Sequence, residues 1–336
     1  MKKRFFKYDF GTLLLAGGML LLATACSKDE TEDGQRTDIS DKDIRMNVDV
    51  WRVMEGTRAT TFDNQAALQT EGNFTCYAYN GETTTTFINS STVNWIESEN
   101  TWAFADGKKY WPATGSLDFF AYMPAEKPAY ISAVSYTTAR TPTITCTSLP
   151  MTSDGQASIK EFVYGLTTDQ TKADQGESGV TMNFVHPFAR IDFKLSASHP
   201  DITINSITLK GIQNNGTCTL NGTTSTWEPS GDATDFVMTL TGDAATFNNN
   251  PNTPQPIGGY AESAHTSIPL LMVPQDWEGE IEVNASWNDW GDTPVPHTVT
   301  TTIPAITWLP GHSYTYTFTI STDDLTVNVN NYTEQW

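Results

Sequence analysis

Apolar and polar positions alternate along most of the chain, and the alternation predicts a series of short strands. Met46-Asn-Val48-Asp-Val50-Trp-Arg52-Val-Met54 puts every second side chain on one face of an extended segment. The stretch 55–60, which holds Gly56, Arg58 and Ala59, breaks it as a loop. Residues 72–79 read as the next strand, with a hairpin signal at Asn80-Gly81. Residues 101–104, Asp106-Gly107 and 109–111 read as strand, turn and strand, closed by Pro112. Leu117-Asp-Phe-Phe-Ala-Tyr-Met123 is apolar almost throughout, as expected of a central strand buried on both faces. Residues 162–166 follow a meander rich in Pro and Thr. The polar stretch 167–179 reads as the clearest linker.

The pattern restarts at Val180 and runs to Leu195 as one long strand, broken or bulged at His186-Pro187. Further alternating segments lie at 202–209, 218–220 with Asn221-Gly222 as its turn, 267–273, 280–287, 299–303 and 314–320. The run 248–256 is a Pro/Asn-rich loop that cannot pair. Residues 325–332 alternate again. No long segment shows a period of 3.6. The expected class is therefore all-β, with two β-sandwiches in tandem, residues 44–175 and 176–336. The roughly 290 residues involved are comfortable for two domains.

Ahead of these strands the character changes. Lys2, Lys3, Arg4 and Lys7 form a basic head, residues 11–22 are apolar, and Ala23-Thr24-Ala25 leads into Cys26. Residues 1–25 thus read as a secretory signal peptide, its apolar run too short for a spanning helix of ~20 residues. Ending on a cysteine, it resembles a bacterial lipoprotein signal, although Ala23 stands where Leu is commoner. The resemblance implies that Cys26 carries a lipid and becomes the first mature residue, which ties the precursor to the outer membrane. Residues 26–43 are polar and acidic and read as a disordered tether. The acidic run resembles the surface-export signal of Bacteroides-type lipoproteins and reads equally well as a plain solvated linker.

The formal net charge is −20, and removing the basic head makes the chain more acidic still. That argues against nucleic acid as a partner. With Cys26 assigned to lipid, Cys76, Cys146 and Cys218 remain, an odd set that cannot be a complete disulfide framework. A Cys76–Cys146 bridge stays open. No Gly-x-Ser-x-Gly, His-Glu-x-x-His or phosphate loop occurs, and the five histidines have no partner at metal-ligand spacing. No enzyme, metal site or cofactor is expected. Residues 288–292 have oxygen ligands but lack a calcium-loop signature, and a solvated hairpin tip is the commoner use. Trp287 and Trp290 there would serve as a sugar platform, against core packing as the default for tryptophan in an all-β chain.

Several longer stretches resemble the fimbrillins, the type V pilin family of Bacteroides-type bacteria. They are Thr57-Arg58-Ala59 after the first strand, and Tyr110-Trp111-Pro112 followed by Phe119-Phe-Ala-Tyr-Met-Pro124. Met182-Asn-Phe-Val-His-Pro-Phe-Ala-Arg-Ile191, Leu270-Leu-Met-Val-Pro-Gln275 and Trp308-Leu-Pro-Gly-His-Ser-Tyr-Thr-Tyr316 complete the set. The resemblance implies transthyretin-like sandwiches and export as a lipoprotein. It also implies proteolytic removal of the first strand, here between Arg58 and Ala59, and assembly into surface fimbriae by strand exchange with other fimbrial subunits. Host or bacterial surface ligands are further partners it allows.

Two segments fit such an exchange. Met46, Val48 and Val50 alternate as Leu325, Val327 and Val329 do, each set about 6.6 Å apart along one face. The first set belongs to the strand to be replaced, the second to a candidate donor strand. The alternative for residues 325–332 is simply the last strand of their own domain. Two other functions stay open: a monomeric, lipid-anchored glycan-binding protein, and a fimbrial anchor that keeps its first strand.

Overall fold

The computed structural model describes residues 43–50, 62, 64–81, 85–136, 141–176, 178–197, 202–222, 224–240, 255–257, 270–288, 293–320 and 325–330. Residues 42–336 form one compact unit. The first half contains β1 (Met46–Val50), β2 (Asn73–Asn80), β3 (Thr86–Ile96), β4 (Thr101–Phe104), β5 (Leu117–Met123), β6 (Ile131–Ser135), β7 (Thr143–Cys146) and β8 (Val163–Gln170). Next come β9 (Val180–Phe184), β10 (Ala189–Ala197), β11 (Thr203–Ile212), β12 (Asn215–Asn221), β13 (Thr224–Ser230), β14 (Thr234–Thr239) and β15 (Gln255–Ile257). The chain ends with β16 (Leu270–Met272), β17 (Asp276–Trp277), β18 (Glu280–Trp287), β19 (Val295–Thr302), β20 (Ile306–Thr307), β21 (Ser313–Ile320) and β22 (Leu325–Asn330). Two short helices, α1 (Gln65–Glu71) and α2 (Ser153–Ser158), interrupt the strands. The fold is all-β, as the alternation predicts.

One seven-stranded sheet runs β8-β5-β2-β3-β4-β1-β9. β5 is its clearest element. All seven residues are buried, and their period of two divides them between two cores. Leu117, Phe119, Ala121 and Met123 face one cluster with Phe74, Leu68 and Trp102. Phe120 and Tyr122 face another with Tyr130, Phe162 and Phe188. Asp118, equally buried, accepts a bond from the Asp169 amide at 2.8 Å. The two ends of this sheet meet. Val185 N donates to Tyr164 O (2.8 Å), Tyr164 N donates to Val185 O (3.1 Å), and Thr167 Oγ1 donates to Thr181 O (3.1 Å). Gly165 permits the approach, since a Cβ there would stand 3.2 Å from Asn183 O. The sheet thus curls around its inner core.

The sheets β15-β10-β21-β22 and β14-β11-β18-β19 supply most of a third core that includes Phe193, Ile207, Met238, Val283, Trp287 and Phe318. A further sheet, β13-β12-β7-β6, joins strands from both halves of the sequence.

Three expectations change. The long strand from Val180 does break at His186-Pro187, but its two parts, β9 and β10, belong to different sheets. The expected division at 175/176 therefore runs through the pairings of β1 with β9 and of β7 with β12. Residues 171–176 are not an open linker but a tight turn. Asp174 Oδ2 accepts from Thr171 N (2.9 Å) and Thr171 Oγ1 (2.6 Å), which holds the Asp174 carboxyl below its usual range. The Cys76–Cys146 bridge is not formed either. All three described thiols are free, Cys76 in one core and Cys146 and Cys218 in another. Burial pushes the Cys146 thiol up to about 12 and the other two higher still, which keeps them protonated and inert.

Candidate functional site: the slot of the first strand

Met46, Val48 and Val50 point inward, at 3%, 1% and 8% exposure, into the core that holds Phe74, Trp102, Met182 and Phe184. The alternation seen in the sequence is therefore the alternation of a strand that completes a core. β1 has a neighbour on each side, but the two sides differ. Against β9 it runs parallel through five register pairs, Met46↔Val180 to Val50↔Phe184. Against β4 it runs antiparallel with a single pair, Met46↔Trp102.

The lead-in to β1 is fixed by buried polar contacts. Gln175 Oε1 accepts from the Arg45 amide (2.8 Å) and from Trp111 Nε1 (3.1 Å), and its Nε2 donates to Asp43 O (3.1 Å). Val180 N donates to Arg45 O (2.8 Å), and the Arg45 guanidinium donates to Gly176 O (2.7 Å). On the outer side, Ile44 N donates to Lys109 O (2.8 Å), and Lys108 pairs with the Asp43 carboxylate. Gly179 adopts φ +95°, and a Cβ there would stand 2.7 Å from the Arg45 carbonyl, so only glycine lets the two backbones lie this close.

Beyond residues 51–61 the chain is caught again at Phe62, buried in the same core as β1. Its amide donates to Glu161 Oε2 (2.9 Å), whose Oε1 lies 2.9 Å from His186 Nδ1. Both side chains of that pair are 2% exposed.

The remaining candidates fall as follows. Cys26, Arg58, Ala59 and Trp290 lie outside the described residues. β22, which carries Leu325, Val327 and Val329, pairs antiparallel with β21 from Thr315↔Asn330 to Ile320↔Leu325 and sits at the end of its sheet's strand order. Trp287 cannot act as a sugar platform. It is 1% exposed, and its ring stacks on His297 at 3.6 Å and 4°, so neither face is open to a ligand. Gln175 and Glu161 have no signature in the sequence, and His186 stands out there only as a strand break and a member of the fimbrillin-like stretch 182–191. The one hint is the sequence position of Gln175, within a stretch that otherwise reads as solvated linker.

These features define an all-β chain whose first strand is a single stave set into a curled sheet. The chain belongs to the fimbrillin-like family, whose model matches residues 57–336. Among solved structures, it is similar to a fimbrial protein from Bacteroides vulgatus, with a TM-score of 0.62 at 16% identity over 87% of this chain and 100% of that one. It is also similar to candidate cell adhesion proteins from Bacteroides ovatus (TM-score 0.52, 14% identity, 86% and 95% covered) and Bacteroides uniformis (0.51, 16%, 87% and 99%). At such identities the likeness concerns the fold. No curated protein matches the chain.

Proposed function

We propose that this chain is a structural and adhesive subunit of a surface fimbrium. It is exported as a lipoprotein through Cys26. It polymerises when β1 is removed by cleavage between Arg58 and Ala59 and the Leu325–Asn330 strand of another subunit takes its place. The observation that carries the reading is the placement of β1. It is first in the described chain and fills a core with three apolar side chains, yet most of its ladder lies on one edge. Burying three such side chains is worth roughly 5–9 kcal/mol gross. An emptied slot is therefore a strong acceptor for a strand with the same alternation. β22 has that alternation, and its place at the end of a sheet order makes it the strand that can leave with the least disruption.

N-terminal sequencing of subunits recovered from cell-surface fibres tests the reading. An Ala59 start is expected, and Arg58→Ala should leave monomers with the lipid-blocked start. Fibres of normal length from the Arg58→Ala subunit would overturn strand removal at this loop. A subunit that stays monomeric at the surface in both forms would point to the lipid-anchored binding protein instead.

A further inference from the structure

Gln175 is 4% exposed, and both polar atoms of its side-chain amide are engaged. Of its three partners, two are main-chain groups of the β1 lead-in, the Asp43 carbonyl and the Arg45 amide. The third, Trp111, holds the same oxygen from the other side. Main-chain groups carry no side-chain identity, but they carry direction and spacing. Gln175 therefore reads which edge of an extended chain faces β9. Pairing with β9 starts at once beyond it, through Val180 N to Arg45 O and then Met46↔Val180. With β1 gone, the amide would keep Trp111 but lose its acceptor at 43 and its donor at 45. A buried amide in that state is costly until a new strand supplies both groups.

Resting on the strand-exchange reading, we infer that Gln175 sets the pleat phase of the slot's occupant, fixing through two backbone groups which of its edges faces β9. The occupant needs a main-chain N–H one position after its first inward apolar residue, in the place that follows Ile44, and a carbonyl one position before it. Proline is excluded at the first of these positions. The occupant is the last strand of a second copy of this chain. Ile44 is also buried in this core, so Leu325 takes its place, Val327 and Val329 take those of Met46 and Val48, Thr326 supplies the N–H and Asp324 the carbonyl. A slip by one residue would turn the apolar side chains outward and the two backbone groups away from Gln175, whereas a slip by two presents an equivalent pair of groups and is opposed by the side chains alone.

Hydrogen exchange on the full mature chain tests the contact. Gln175→Met removes the side-chain bonds at similar volume. Amides of residues 43–50 should then exchange about tenfold faster, and those of β5 should not change. Unchanged rates in 43–50, or an equal acceleration in β5, would overturn the assignment. A second arm changes no residue of the protein. Mature chain nicked by trypsin within residues 51–61 is mixed with an isotope-labelled synthetic peptide of residues 320–331, and displacement of the first strand is followed by mass spectrometry. The same peptide carrying Thr326→Pro should act at least about tenfold more slowly. Equal rates for the two peptides would overturn selection by Gln175. A native peptide that displaces nothing would overturn residues 325–330 as the occupant, and with them the strand-exchange reading, whatever Gln175→Met does to the exchange rates.

Discussion

Glu161 offers the sharpest stability test of how the chain is held at Phe62, beyond residues 51–61. Its two oxygens serve two buried partners, the Phe62 amide and His186 Nδ1, each at 2.9 Å. Glu161→Ala strips both at once. A buried donor deprived of its acceptor costs about 1–3 kcal/mol. Two of them give roughly 2–6 kcal/mol, a large part of the 5–15 kcal/mol that ordinarily holds a domain folded. Glu161→Gln keeps the shape and an oxygen for the Phe62 amide, so its cost should stay near 1 kcal/mol. Urea unfolding of the mature chain, followed by tryptophan fluorescence, measures both. The alanine variant should show a clearly lower midpoint at similar slope. The region it loosens should include Phe62 and α1, read by hydrogen exchange. If the two variants unfold within about 0.5 kcal/mol of each other, the pair does not anchor the chain at Phe62 and the argument fails.

Three further outcomes are expected. Gly165→Val should press on Asn183 O and Met182 where β8 meets β9, costing about 1–3 kcal/mol in urea unfolding; a variant as stable as the parent would show that the two ends of the sheet need not touch. Asp174 has a depressed pKa because Thr171 bonds its carboxylate, so its hold on the turn is complete above the ordinary aspartate value of about 3.8 and is lost as pH falls through the lowered one. Amides of residues 171–176 should therefore stay protected down to that range and open below it, and Asp174→Asn should remove the pH step; a step of the same size in the Asn variant would contradict the assignment. Cys26→Ala should leave the precursor uncleaved and without lipid label, and normal processing of that variant would refute the lipoprotein reading.

What could be read from the sequence follows the range of the interactions involved. β5 was legible because seven consecutive residues meet apolar surroundings on both faces. The turn at Asn221-Gly222 was legible because two adjacent residues encode it, and β12 and β13 do pair across it. β1 was legible as a strand but not as a neighbour of β9, because that pairing spans about 130 residues and leaves no local mark. The same limit hid the sheet that joins β7 to β12. Residues 109–111 read as a strand because Tyr110 and Trp111 have strand propensity. The structure uses Tyr110 for an isolated bridge to Asp43 and buries Trp111 against Gln175. Residues 171–179 read as solvated because they are polar. Among the described polar residues there, Asp174 closes the turn from its exposed side, and Gln175 alone turns inward to the lead-in of β1. Composition alone cannot tell a polar residue facing water from one facing a buried backbone.

The flanking of β1 by β4 on one side and β9 on the other would also govern, under strand exchange, how many partners the site could take. An open sheet edge has no upper limit: each strand added to it presents a fresh edge, and growth can continue sideways. A gap between two strands closes when it is filled. If β1 is exchanged as proposed, its position is a socket with a valence of one, and subunits that each offer one such socket and one donor strand can only be linked into a row. Unbranched growth would then follow from the geometry of a single missing stave, with no separate device needed to stop lateral association at that sheet.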